Sequence, residues 1–406
     1  VTLIRPFRAL RPAPGRAADV LAPPYDVLSS LEARQRAEDK PWSFLHVSKP
    51  EIDLPPDVDP YGPAVYARAR ENLDRIMAAG ALVRDALPAY YVYRLTWRDH
   101  EQTGLAAIAS LAGYASNRIR KHELTTPVKE DDRVRQIEAV NAQTGPVMMA
   151  YPAAPAIDAI LAHAAASAPS FDVTGSDQVR HRLWTIAEVA TISALTAAVD
   201  ALPALYIADG HHRSAAAARI AAAYPDGPES NRYFLSVLFP HHEMTILAYN
   251  RIMRDLNGRT PAELIAALRA SVSVEASHRP VSPAGAGEFG MFLDGKWYRL
   301  TIRPDLIPIN DPIGRLPITL LTRHVVEPLF GITDPRTDKR IDFVGGGRGL
   351  KHLEERVVSG DKAAFALYPT EMADLMAVAD AGGIMPPKST WFEPKLADGA
   401  VSHVLD

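Results

Sequence analysis

Between residues 61 and 85 the chain reads YGPAVYARARENLDRIMAAGALVRD, with apolar positions three and four apart and a glycine at 80. That period predicts an amphipathic helix closed by its glycine. The pattern then changes. PAYYVYRLTW (88–97) and TGLAAIASLAGY (103–114) are nearly continuous apolar runs joined through RDHEQ, which predicts two buried strands. The stretch 117–145 is densely charged and reads as a loop passing into a helix from about Lys129. YPAAPAIDAILAHAAASAP (151–169) is the most apolar run, yet Pro152, Pro155, Asp158 and His163 interrupt it. A short helix fits that pattern and a membrane span does not.

Further along, Leu205-Tyr206-Ile207-Ala208 predicts a buried strand running into Asp209-Gly210. The alanine-rich run after Arg213 predicts a helix, alanine being the strongest helix former. RYFLSVLFP (232–240) and MTILAYNRIM (244–253) are expected to pair with each other around His241-His242-Glu243. Residues 260–304 alternate helix and strand, 316–331 reads as a helix, KRIDFVGGG (339–347) as a strand, and 349–360 as a helix. The tail after Gly382 reads as loop. No repeat or low-complexity linker appears, and the 34 prolines and 24 glycines are spread along the chain, which favours one compact, loop-rich α+β body.

Composition narrows the chemistry. With 47% apolar and 23% charged residues the chain can bury a sizeable core. A net charge near −4, with no long Lys/Arg block, gives no general attraction to nucleic acid or anionic membrane. The absence of cysteine excludes disulfides, thiolate nucleophiles, Cys-ligated zinc and iron–sulfur clusters. The N-terminal VTLIRPFRALRPAPG lacks a signal-peptide core, so the sequence reads as a soluble, cytoplasmic protein. The Walker, G-x-G-x-x-G and G-x-S-x-G patterns are all missing.

The turn ADGHHR (208–213) poses a conflict of sign. A helix N-terminus carries partial positive charge and favours acids, yet His211, His212 and Arg213 fill the first turn. A bound anion resolves the conflict. Gly210 permits a close approach, free backbone N–H groups cradle a phosphate, and the three side chains add donors. Asp209 has three readings: helix cap, partner orienting a histidine, or magnesium holder through water. On the plainer reading it only caps, and the histidines are surface groups. No metal site is expected, because adjacent histidines seldom point the same way and helical zinc motifs space them by four.

RIRKHELTTPVKEDDR (118–133) is the second candidate. A charge run is ordinarily a solvated face, but His122-Glu123 begins just beyond an apolar strand, where functional loops start. Glu123 is the candidate general base, with His122 beside it. Lys129 and Arg133, four apart on a starting helix, share a face suited to a second phosphate group. Weaker sets are His241-His242-Glu243, the trio Arg336, Lys339 and Arg340 before a triple glycine, and Lys388-Ser389 in MPPKSTWFEPK, which reads as a terminal strap or a lid.

ADGHHR, PPYDV, KHELTTPVKEDDR and MPPKSTWFEPKL together span residues 23 to 396. They resemble the signature of a bacterial and archaeal family of unknown function. That family resembles, more distantly, the ParB/sulfiredoxin-like superfamily, which includes nucleotide-using ParB proteins, sulfiredoxin and free-serine kinases. The resemblance implies an α+β fold with a ParB/sulfiredoxin-like core of mixed sheet and helices over 1–250, and a large C-terminal elaboration over 251–406 packed on it. It implies that Asp209, Gly210, His211, His212 and Arg213 hold nucleotide phosphates while Glu123 activates a hydroxyl. Sulfiredoxin chemistry needs a cysteine, and nothing here resembles a DNA-binding helix pair or basic arm, so within that superfamily the resemblance favours phosphoryl transfer.

The expected activity is therefore phosphotransfer from ATP or ADP, with Mg2+, to a small hydroxylated metabolite, serine or phosphoserine first. With water as acceptor the same parts make a phosphoserine phosphatase. A nucleotide-binding regulator without turnover is the alternative from another class. The expected partners are a small-molecule substrate and a nucleotide, without nucleic acid or membrane; a homodimer is compatible with the pattern.

Overall fold

The hairpin expected from the two apolar runs is present in the computed structural model, which describes residues 2–406. Tyr90–Trp97 and His100–Ser110 pair antiparallel, from Trp97 opposite His100 to Tyr91 opposite Ala106. The second strand stops before 114 because Ser110 caps a short helix, Leu111–Ala115, accepting the Gly113 N–H at 3.2 Å. The chain is a mixed α/β protein with thirteen α-helices among the described residues. No helix of the described residues is long and apolar enough to cross a membrane.

Its residues fall into two units, Val1–Met244 with Pro394–Asp406, and Thr245–Glu393. The first is built on a nine-stranded sheet. From one edge the strands run Ile119–Arg120, Leu205–Asp209, Val147–Tyr151, Tyr233–Pro240, His100–Ser110, Tyr90–Trp97, Arg180–Ile186 and Phe171–Thr174, with Ile4–Arg5 also on His100–Ser110. Leu205–Asp209 is parallel to Ile119–Arg120, and Tyr233–Pro240 to Val147–Tyr151; the other pairings are antiparallel. Strands with both faces covered read as continuous apolar runs, and all eight residues of Tyr233–Pro240 are buried. Leu161, Leu195, Val199 and Ala217 from three helices join Val92, Leu105, Met149 and Ile207 of the sheet in one core. The end of the chain is not all loop: Ser402–Val404 pairs with Ala9–Pro12 and Ala142–Gln143.

The second unit holds a six-stranded sheet around Tyr249–Met253, Glu288–Leu293 and Ala363–Leu367. Two expectations change here. Tyr233–Pro240 does not pair with the strands that follow it. His241–Glu243 forms a single 3-10 turn, the Glu243 carboxylate accepts the Thr103 N–H at 2.7 Å, and Thr245–Leu247 pairs instead with Trp391–Glu393. The helix over 316–331 is regular only through Pro317–Leu321. Thr322–Phe330 widens into a π-helix containing Pro328, whose missing N–H cannot serve an α-helical ladder.

Candidate functional site

Strand Leu205–Asp209 and helix His211–Ala223 are joined by a single residue, Gly210, at φ 102°. Any other side chain is strained at that angle, and a Cβ there would also meet Arg213 Nε at 3.1 Å and Val147 Cα at 3.3 Å. No side chain caps the helix, so the cap expected of Asp209 is not made. Its carboxylate turns instead to Lys395 Nζ at 3.3 Å and Arg213 Nη2 at 3.4 Å. Burial opposes ionisation of Asp209, but those two charges outweigh it and hold the carboxyl well below the usual carboxylate range.

Arg213 is engaged with protein on several sides. It donates to the Pro146 carbonyl, meets Asp209, and lies 3.7 Å from Asp26. Burial works against its charge, yet Asp209 and Asp26 keep the guanidinium protonated. Beside it Arg133 pairs with Asp132 at 2.6 Å and stacks 4.0 Å over the ring of Tyr25. The Tyr25 N–H donates to Asp398 at 3.0 Å. Burial and the nearby Asp26 push the Asp398 carboxyl up to about 7, against the pull of Arg213. Tyr25, Arg133, Gly145 and Arg213 line one small pocket beside the turn.

The other side of the turn is differently built. Helix Pro127–Val140 starts at Thr126, again without a side-chain cap. His212 Nε2 accepts the Thr126 N–H at 3.1 Å, which makes Nε2 the unprotonated nitrogen. Two uncapped helix starts therefore meet at one histidine. Burial and the charge of Lys129 lower the proton affinity of His212. His211 is buried, with its ring edge-on to His122 at 4.4 Å between centroids and its Nδ1 3.8 Å from Glu123 Oε2. Burial pushes His122 down to about 4; burial and the neighbouring His122 hold His211 well below its usual value. Ligand atoms of His122, Glu123 and His211 all lie within 4.8 Å of one another.

The model of a protein family described as "Protein of unknown function (DUF1015)" matches residues 4–321, a span that includes this whole cluster except Lys395 and Asp398. The chain belongs to the DUF1015 family. No curated protein matches it. Among solved structures, a free serine kinase in complex with AMP is similar at 12% identity and a TM-score of 0.36, over 68% of this chain and 84% of that one. SbnI with a C-terminal truncation from Staphylococcus aureus is similar at 12% identity and 0.38, over 73% and 86%. A conserved hypothetical protein from Pyrococcus furiosus is similar at 14% identity and 0.35, over 70% and 90%. Likenesses this distant leave the chemistry to be argued from the DUF1015 site itself.

In this DUF1015 chain the expected residues divide into two groups. His122, Glu123, His211 and His212 come together. Lys129 is exposed but near enough to act on the charge of His212. Arg133 and Arg213 lie instead in the Tyr25–Asp26–Asp398 network, so Lys129 and Arg133 do not present one free basic face. Tyr25, Asp26, Lys395 and Asp398 were not singled out from the sequence. The first two lie in PPYDV and Lys395 closes MPPKSTWFEPK, while Asp398 in LADG carries no local signal. Of the weaker sets, Arg336 pairs with Asp334 and Arg340 with Asp338. The MPPKST segment is held as a strap: Arg251 donates to the Lys388 carbonyl at 2.9 Å and Thr370 to that of Ser389 at 3.1 Å.

Proposed function

We propose that this protein is a phosphotransferase, moving a phosphoryl group from ATP or ADP to a small hydroxylated metabolite, with serine the first candidate, and that its first unit carries a ParB/sulfiredoxin-like core. The observation that supports this most directly is the meeting of two uncapped helix N-termini at His212 and Thr126, beside a partly exposed carboxylate. The N–H groups and the dipole of a helix start favour a phosphate. Arg213 acts here as a brace that fixes the turn, and Lys129 supplies an exposed charge.

In the reaction the acceptor hydroxyl attacks the terminal phosphorus of the nucleotide, its proton passes to Glu123, and the shortened nucleotide leaves. Glu123 is suited to the task by position: its side chain is 44% accessible while the adjacent His211 is buried. Lys129 and the helix starts offset the charge on the transferred group. Magnesium takes oxygen ligands in octahedral geometry. The donors gathered at this site are two imidazoles and one carboxylate, and Asp209 is taken up by Lys395 and Arg213. That set does not fit a resident magnesium ion, so the ion enters in this reading with the nucleotide phosphates, as part of the substrate. Incubation with magnesium ATP or ADP and L-serine is the test: O-phosphoserine supports the assignment, and its absence with both nucleotides contradicts it.

A further inference from the structure

We propose that His122, Glu123 and His211 form a binding site for a divalent transition-metal ion of the zinc class. The inference goes beyond phosphotransfer and needs neither nucleotide nor serine. It starts from His122, which is 2% exposed and whose two ring nitrogens both lack a hydrogen-bond partner. The Ile207 backbone approaches the ring without completing a hydrogen bond to it. A buried polar group without a partner costs roughly 1–3 kcal/mol, and an unmet imidazole is the commonest metal ligand.

Two further observations converge on the same place. Ile119–Arg120 and Leu205–Asp209 are neighbouring parallel strands, with Leu205 opposite Ile119 and Tyr206 opposite Arg120. Their C-terminal ends therefore deliver His122 and His211 side by side. The adjacency that argues against chelation by His211 and His212 is irrelevant to this pair, which the sheet assembles. Glu123 adds an oxygen 3.8 Å from His211 Nδ1, while His211 Nε2 accepts the His122 backbone N–H at 3.5 Å, a long contact that an ion held on Nδ1 would displace.

The dimensions suit a zinc-class ion. Metal–ligand bonds near 2.0–2.1 Å place tetrahedral donors roughly 3.4 Å apart. Here the donors lie within 4.8 Å, so a modest closure completes the set, and the partly exposed Glu123 is the ligand able to supply it. Two nitrogens and one carboxylate favour zinc, cobalt or manganese over magnesium. Three protein ligands leave a coordination position open, as in catalytic sites.

The test is metal binding by the full chain without nucleotide. Protein stripped by a chelator is titrated with zinc in competition with a chromophoric chelator, and separately with cobalt(II), whose visible spectrum reports nitrogen and oxygen ligands. We expect one zinc per chain, and a loss of affinity of more than about 100-fold in His122→Ala and in His211→Ala, exceeding the effect of removing an outer-shell partner. Circular dichroism checks each variant's fold; if His211→Ala fails to fold, His122→Ala and the wild-type cobalt spectrum decide. Absence of zinc binding by wild type, a cobalt spectrum unchanged in His122→Ala, or displacement of zinc by equimolar magnesium overturns the proposal. Because no phosphoryl donor is present, failure here leaves phosphotransfer standing, and failure of turnover leaves the metal site standing.

Discussion

His212 accepts the backbone N–H of Thr126 on Nε2 at 3.1 Å, joining residues 86 positions apart and the starts of two helices. One side chain thereby sets the spacing of two positive helix ends, and a phosphate between them depends on that spacing. His212→Ala should cost about 0.5–1.5 kcal/mol of stability, read by urea denaturation, and should weaken nucleotide binding in calorimetry. Unchanged nucleotide affinity in a folded variant would remove the helix pair from the phosphate site.

Arg213→Ala tests the brace. The substitution leaves Asp209 and Asp26 short of a cation and the Pro146 carbonyl without its donor. Hydrogen bonds to charged groups contribute about 1.5–3 kcal/mol, so a loss of that order is expected. A thermal midpoint close to wild type, together with loss of nucleotide affinity, would restore Arg213 as a direct phosphate ligand.

The strand–turn–helix around Gly210 was legible because three local signals agree: an apolar strand, a glycine where φ reaches 102°, and an alanine-rich helix. The hairpin over 90–110 was legible for the same reason, since apolar run length and a polar turn are local properties. What failed depends on distant partners. Tyr233–Pro240 and the run after it look alike in sequence, but Glu243 is tied to the Thr103 N–H and the following strand finds Trp391–Glu393. The inward use of Arg213 needs Asp26 and Pro146, which no spacing rule connects to it. The rule about adjacent histidines says nothing of His122, because the contact with His211 comes from a parallel strand pairing.

Asp398 gives the protein a pH dependence of stability. Burial and Asp26 raise its folded-state carboxyl to about 7, against an ordinary value near 4. Between those values the folded state holds a proton that the unfolded state has released. Its stabilising effect is thus full below about pH 4 and is lost as pH rises through 7. Asp398→Asn keeps an acceptor for the Tyr25 N–H without the charge, and should stabilise the protein at pH 8 by up to about 4 kcal/mol, with little gain at pH 4. The check is urea denaturation of both proteins across that range; parallel curves would contradict the assignment.

Phosphoryl transfer at this site is open to direct measurement. The most direct measurement is phosphorus NMR of wild type and Glu123→Gln with magnesium ATP or ADP and L-serine, alongside O-phosphoserine alone. A phosphoserine resonance that grows with wild type, and about 100- to 10,000-fold more slowly with Glu123→Gln, is the predicted result. Inorganic phosphate from O-phosphoserine alone would make water the acceptor and the protein a phosphatase. Nucleotide and O-phosphoserine signals unchanged in every sample, or equal rates in both proteins, would contradict phosphoryl transfer here.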